Sequence, residues 1–258
     1  MASLYNTLEE KIPVWRDDVE SLLKNNGSSV ISDVTLTQAY GGMRGVKGLV
    51  CDTSSVSPDT GLIIRGKPLL DIIDILPEQV LFLLLADEMP DEDALTNLQS
   101  QLSEHAVVPD YIWTILNSMP EDSHPMAMLN TAVLAMEKES VFRKNYDKGL
   151  SKEDFWKPML EDGLSLIAKL PAIGAGVYKI RFQKSRLIEP DGSLDWGANF
   201  AHMLGLNDPD GNVKKLMRLY LMIHCDHEGG NASAFTSLTI GSTLSDLYYA
   251  VSGGLNAL

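Results

Sequence analysis

Apolar positions recur every three or four residues along most of this chain. Leu4, Leu8, Ile12, Trp15, Val19 and Leu22 keep that step and predict an amphipathic helix over 4–25. Asn25, Asn26 and Gly27 end it, with the glycine suited to the left-handed position after a last turn. Residues 28–67 follow another rhythm. Short apolar or β-branched runs at 30–31, 34–36, 49–50 and 62–64 alternate with Gly41, Gly42, Gly45, Gly48, Pro58 and Gly61. They predict short strands joined by turns, too few for a large sheet and so a small β appendage near 28–67.

Helical spacing then resumes to the end. It predicts helices over 68–76 and 78–87, one from Pro90 and Asp91 with an acidic first turn, and one over 109–119. The helix from His124 and Pro125 carries small residues at Ala127, Thr131, Ala132 and Ala135, a face that permits close helix approach between subunits or within one. Ser151 and Asp154 form a loose capping box ahead of the next helix, and Pro171 either kinks that segment or divides it from a helix to about 184. Residues 186–195 read as a polar loop. Asp195 and Trp196 open a helix, 207–211 break it, and 213–226 form another. No repeat, low-complexity tract or linker interrupts the chain, so a single mainly α domain spans 1–258. Residues 246–258 are apolar and uncapped, whereas domain ends are usually polar and frayed, so the expectation is a chain cut inside a structural element.

Composition narrows the functional classes. At 45% hydrophobic there is material for a core, and a net charge of −14 lacks the basic footprint of a nucleic-acid binder. The longest clean apolar run, 80–86, falls well short of the roughly 20 residues of a membrane span and reads as a buried helix. Cys51 and Cys225 are too few for a disulfide framework. The first residues carry neither a basic nor an apolar leader, so the chain reads as cytoplasmic, or mitochondrial if a transit peptide was removed.

The densest polar cluster is His224-Cys225-Asp226-His227-Glu228-Gly229-Gly230-Asn231, with Ser233 just beyond. On a helix continuing to 226 the two histidines share one face, partly buried at a rigid helix end. Three readings stay open: a metal site, two core histidines with satisfied hydrogen bonds, or anion recognition by His227 beside Asn231 and Ser233. The metal reading lacks the HExxH and HxxEH spacings and a third ligand. A second cluster, residues 41–48, sets four glycines around Arg44 and Lys47. It reads equally as a backbone cradle for phosphate or as a turn with solvated cations. Cys225 lies between His224 and Asp226, but neighbours at i±1 on a helix point apart, so it reads as an inert thiol.

Seven segments, in order, then resemble the citrate synthase family. They are Tyr-Gly-Gly-Met-Arg-Gly-Val-Lys-Gly at 40–48, Pro-Asp-Thr-Gly-Leu-Ile-Ile-Arg-Gly at 58–66, His-Pro-Met at 124–126, Leu-Ile-Ala-Lys-Leu-Pro at 166–171, Asp-Trp through Met-Leu-Gly at 195–205, the histidine block at 219–234 and Gly-Ser-Thr-Leu-Ser-Asp at 241–246. The resemblance implies a helical homodimer that condenses acetyl-CoA with oxaloacetate and holds no permanent cofactor or metal. It places His227 on oxaloacetate with Asn231 in the same loop, Ser233 as support for an enol-stabilising histidine, and Arg44 on CoA phosphate. Lys152 falls near a CoA-binding arginine position but lacks the bidentate fork. That enol-stabilising histidine, the base and the small domain would lie beyond residue 258. The implied reading is therefore a large domain, 1–258, inactive by itself. A 2-methylcitrate synthase, which takes propionyl-CoA, and a non-catalytic module derived from the family are the alternatives.

Overall fold

The computed structural model describes residues 3–229 and 231–258. It opens with α1 (Leu4–Asn26) and α2 (Leu36–Tyr40), then an antiparallel meander of β1 (Ser54–Ser57), β2 (Gly61–Ile64) and β3 (Lys67–Pro68). Ser54 pairs with Ile64 and Ile63 with Pro68. The remainder is helical: α3 (Leu69–Ile72), α4 (Pro77–Ala86), α5 (Glu92–His105), α6 (Asp110–Ser118), α7 (Pro125–Ala135), α8 (Val141–Tyr146), α9 (Trp156–Tyr178), α10 (Trp196–Leu204), α11 (Asn212–Ile223), α12 (Ala232–Gly241) and α13 (Leu247–Asn256).

Helix α9 separates two cores. Leu164 and Ala168 on one side meet Leu4 and Leu8 of α1, Phe82 and Ala86 of α4, and Leu98 and Leu102 of α5. Leu166, Ile173 and Val177 on the other meet Ile112 and Leu116 of α6, Met128, Ala132 and Val133 of α7, and Tyr248 of α13. A helix buried on two sides must be apolar nearly all round. Lys152–Gln183 is accordingly long and apolar enough to cross a membrane by length and composition, although 56% of its apolar window is buried here. Pro171 neither divides nor ends the helix, which runs on to Tyr178 and closes in a π turn, Lys179–Gln183. Proline removes the N–H that would bond the Ile167 carbonyl. The Trp196 indole N–H donates to that carbonyl instead, at 3.0 Å. A third, smaller core joins the meander to the helices through Ile64, Ile72, Val80, Leu83 and Met222.

Several expectations need correction. The sheet occupies 54–68, and the apolar runs at 30–31, 34–36 and 49–50 are not strands. Val30, Ile31 and Val50 are 79%, 70% and 88% exposed, and β-branching alone forms no ladder without a partner and a face to bury. Thr35 instead caps α2, in a capping box with Gln38. Gly27 stays right-handed at φ −61°, because its N–H continues the helix to Leu23 O. Ser151 caps a single 3-10 turn, Lys152–Asp154, through the Glu153 N–H, so the full capping box does not form. Residues 246–258 are not uncapped: Asp246 accepts from the Tyr249 N–H at 3.1 Å, and α13 buries Tyr248, Ala250 and Ser252.

Two buried carboxylates tie helices together. Asp162 of α9 accepts from the Ser140 hydroxyl (2.9 Å) and the Val141 and Phe142 N–H groups (2.7 and 3.1 Å), which caps α8 from a neighbouring helix. Glu78 of α4 accepts from the Trp196 N–H at the start of α10 (2.8 Å), while its Oε2 has no partner among the described residues. Burial, opposed by that bond, holds the Glu78 carboxyl above the usual range.

Asp162→Ala leaves two buried donors and one partly buried donor unpaired, so equilibrium urea unfolding should show a loss of about 3 kcal/mol or more; a loss under about 1 kcal/mol would refute the cap. For Glu78 the folded state keeps a proton that the unfolded chain releases, so its contribution to stability declines as pH rises above the ordinary glutamate pKa. Glu78→Gln retains the acceptor for Trp196 and should melt roughly 2–4 °C higher than the parent at pH 7.5. The gap should close toward pH 4. An equal gap at both pH values would contradict the assignment.

Candidate functional site

The histidine block starts where α11 ends. Helix α11 stops at Ile223, short of the expected 226, because the His224 ring intervenes: its Nδ1 donates to Tyr220 O at 2.8 Å, the carbonyl that the next helical N–H would have used. The ring also stacks on Tyr220 with centroids 4.2 Å apart. His224 and His227 therefore do not share a helical face. His224 is a cap with its hydrogen bond satisfied, and its neighbour Cys225 packs against the third core. Burial, followed by the adjacent Asp226 carboxylate, pushes the Cys225 thiol up to about 11, which suits an inert group.

His227 lies in the loop between α11 and α12 and is exposed, not partly buried at a helix end. Its backbone N–H donates to its neighbour Asp226 Oδ1 at 2.9 Å, and the next N–H, of Glu228, donates to Ser54 Oγ at 2.6 Å. Its imidazole makes no hydrogen bond among the described residues. Gly230 lies outside the described residues. Asn231 caps α12, with its Oδ1 accepting from the Ala234 N–H and the Ser233 hydroxyl, both at 2.7 Å. That uses the Asn231 carbonyl and the Ser233 proton locally and leaves the Asn231 amide NH2 for a ligand.

The glycine-rich segment comes to the same place. An added Cβ at Gly48 would lie 4.0 Å from the Phe235 ring of α12, and one at Gly229 only 3.3 Å from Cys51 Cβ. Arg44 is exposed in this segment, in a turn where Gly42 and Met43 are both left-handed at φ 71° and 64°. The Met43 and Val46 N–H groups bond Gln38 O and Met43 O, so two donors of a phosphate cradle are spent on the turn. The cations exposed on this segment are the Arg44 and Lys47 side chains. Lys152 is exposed in the turn ahead of α9 and joins none of these contacts. Among the described residues no three His, Cys, Asp or Glu side chains converge as a metal site requires.

The structure thus brings together His227, Asn231, Ser233 and the segment bearing Arg44. It adds Ser54 and Cys51, which sequence reasoning missed, and shows Asp226, noted there only as part of the polar cluster, accepting the His227 N–H. Cys51 is exposed, and hydrogen bonds with Thr53 and Ser54 outweigh its partial burial to hold its thiol below the ordinary value. No periodicity or motif links residue 54 to residue 228; only the fold does.

Comparison with known proteins bears on the family and the fold. A family model described as citrate synthase, C-terminal domain, matches residues 42–258. The chain is 39% identical over 265 aligned positions to citrate synthase 4, mitochondrial, of Arabidopsis thaliana, covering 99% of this chain and 56% of that protein. It is 40% identical to the mitochondrial 2-methylcitrate synthase of Yarrowia lipolytica, covering 96% and 56%. The chain thus spans little more than half the length of these relatives. The citrate synthase structure from Pyrobaculum aerophilum superimposes with a TM-score of 0.78 at 24% identity, covering 89% of this chain and 58% of that one. Seven motifs in order, a shared helical fold and a family match running through the histidine loop have one explanation: the chain belongs to the citrate synthase family.

Proposed function

We propose that this chain carries the keto-acid-binding part of a citrate synthase active site, with oxaloacetate held at His227 and acetyl-CoA as the second substrate. The observation that carries the reading is an exposed imidazole with no hydrogen-bond partner among the described residues, on a loop whose next N–H is bonded across the fold to Ser54. An acetyl methyl is a very weak acid. Its enol must attack the keto carbon while negative charge gathers on the carbonyl oxygen, and a preorganised donor stabilises that charge. His227 is that donor, and the free amide of Asn231 lies in the same loop. Arg44, exposed on the segment that reaches α12, supplies a cation for CoA phosphate. Lys152 is the weaker of the two cations assigned to CoA.

Enolisation also needs a base and an enol-stabilising group. Asp226 is the residue before His227 in the loop, and its Oδ1 is occupied by the His227 backbone N–H. The resemblance assigns the base and the second histidine to sequence beyond the span shared here. We therefore read 1–258 as the large domain, able to bind the keto acid and unable to complete the reaction alone. The Yarrowia lipolytica relative keeps propionyl-CoA as a competing acyl donor, since one methylene is worth only about 1–3 kcal/mol of discrimination. The mitochondrial names of both relatives favour a mitochondrial over a cytoplasmic setting.

We also propose a homodimer through α7. Ala132 of its small-residue face is fully buried inside the chain, which accounts for one edge of that face, while Ala127 and Leu134 remain exposed on the other.

Calorimetric titration with oxaloacetate should show binding to the parent that weakens about tenfold or more in His227→Ala; equal affinity would sink the assignment. A thiol-release assay with acetyl-CoA and oxaloacetate should give no turnover by the 258-residue chain, and steady CoA release would refute the division of labour. Sedimentation at micromolar concentration should give twice the chain mass, falling to the monomer in Ala127→Glu; a monomer throughout would rule the α7 contact out.

A further inference from the structure

We propose that the β meander is the clamp of the substrate loop, and that Ser54 is the residue through which it positions His227. This rests on the reading of His227 given above and adds a positioning residue to it.

The meander is fixed before it reaches the loop. Arg65, held in the left-handed region at φ 44°, donates from Nε and Nη2 to the Leu84 carbonyl of α4 at 3.1 and 2.7 Å. Its Nη1 donates to Asp52 O at 3.1 Å. One guanidinium thereby ties the start of the meander to the end of α4. Ile64, fully buried, packs in the same core as Met222 of α11. Ser54 stands opposite Ile64 in the ladder, and although it is a polar residue it is only 8% exposed. A buried hydroxyl needs a partner, and among the described residues its oxygen accepts from the Glu228 N–H at 2.6 Å, 174 residues away in the chain.

That bond sits one residue from the imidazole. Glu228 is left-handed at φ 51°, an uncommon conformation for a glutamate that the surroundings must hold. The Asp226 carboxylate takes the His227 N–H on one side and Ser54 takes the Glu228 N–H on the other. Gly229 completes the seat, since a side chain there would press on Cys51 ahead of β1. The loop therefore meets the meander at Glu228 and the segment leading into it at Gly229, and His227 is carried directly before that anchor, with its own N–H held inside the loop by Asp226. An exposed histidine on an unpinned loop would lose ordering entropy whenever it gripped a ligand. Pinning removes that cost in advance.

Nuclear relaxation and amide exchange on the whole chain test this with Ser54→Ala and Ser54→Thr. In the parent and in Ser54→Thr, which keeps the hydroxyl, backbone order parameters at His227 and Glu228 should be about 0.85, and in Ser54→Ala they should fall below about 0.6. The Glu228 amide should exchange about tenfold or more faster in Ser54→Ala alone. Unchanged order and exchange in Ser54→Ala, or a Ser54→Thr no better than Ser54→Ala, overturns the clamp. If Ser54→Ala fails to fold, the parent decides by itself: a Glu228 amide that exchanges at the unprotected rate overturns the proposal, and a protected one supports it. Oxaloacetate added to the parent separates the two claims. A protected Glu228 amide with no response of the His227 ring upholds the clamp and removes the substrate assignment.

Discussion

The two larger cores of this structure are arranged around a helix that must be buried on two sides at once. α9 gives Leu164 and Ala168 to one core and Leu166, Ile173 and Val177 to the other, so α1, α4 and α5 collect on one flank and α6, α7 and α13 on the opposite one. The same constraint explains its polar exceptions. Asp162 is buried because it caps α8 across the interface. The carbonyl freed by Pro171 is tolerated because α10 sends an indole N–H into the gap. That indole belongs to the residue whose backbone N–H is held by Glu78 of α4. α4, α9 and α10 are thus locked together, and α11, which packs on α10, delivers the histidine loop from a fixed base.

What was legible in the sequence was what is local. Asp91, Asp195 and Asn231 each cap the helix that follows them through a bond three residues away, so a single acidic or amide residue before an apolar run announces the helix start. The stripe of α1 was legible too, yet only Leu4 and Leu8 of it are buried, while Val19 and Leu22 remain exposed. Periodicity reports which residues share a face, not what that face meets. The strands fared worse for the same reason: Val30 and Ile31 look like a strand and Ser54 does not, and the sheet contains only the latter. Pairing is decided by the partner, here the stretch from Gly61 to Ile64.

The site divides along that line. Asn231 and its interplay with Ser233 follow from neighbouring residues. His227 could be singled out as chemistry by residue type and by family resemblance, but its exposure, its separation from His224 and the support beneath it could not. The helix end moved three residues because one imidazole captured one carbonyl, a competition between side chain and backbone that spacing does not reveal. Ser54, contributed from 174 residues earlier in the chain, carries no motif at all.

The central claim is that His227 polarises the carbonyl of a keto acid. The most direct measurement is the carbon-13 shift of the keto carbon in labelled oxaloacetate bound to the chain. A donor at that oxygen predicts a downfield displacement on binding that disappears in His227→Ala. A bound carbonyl with the free-solution shift, or a displacement that survives the loss of the imidazole, would contradict the account.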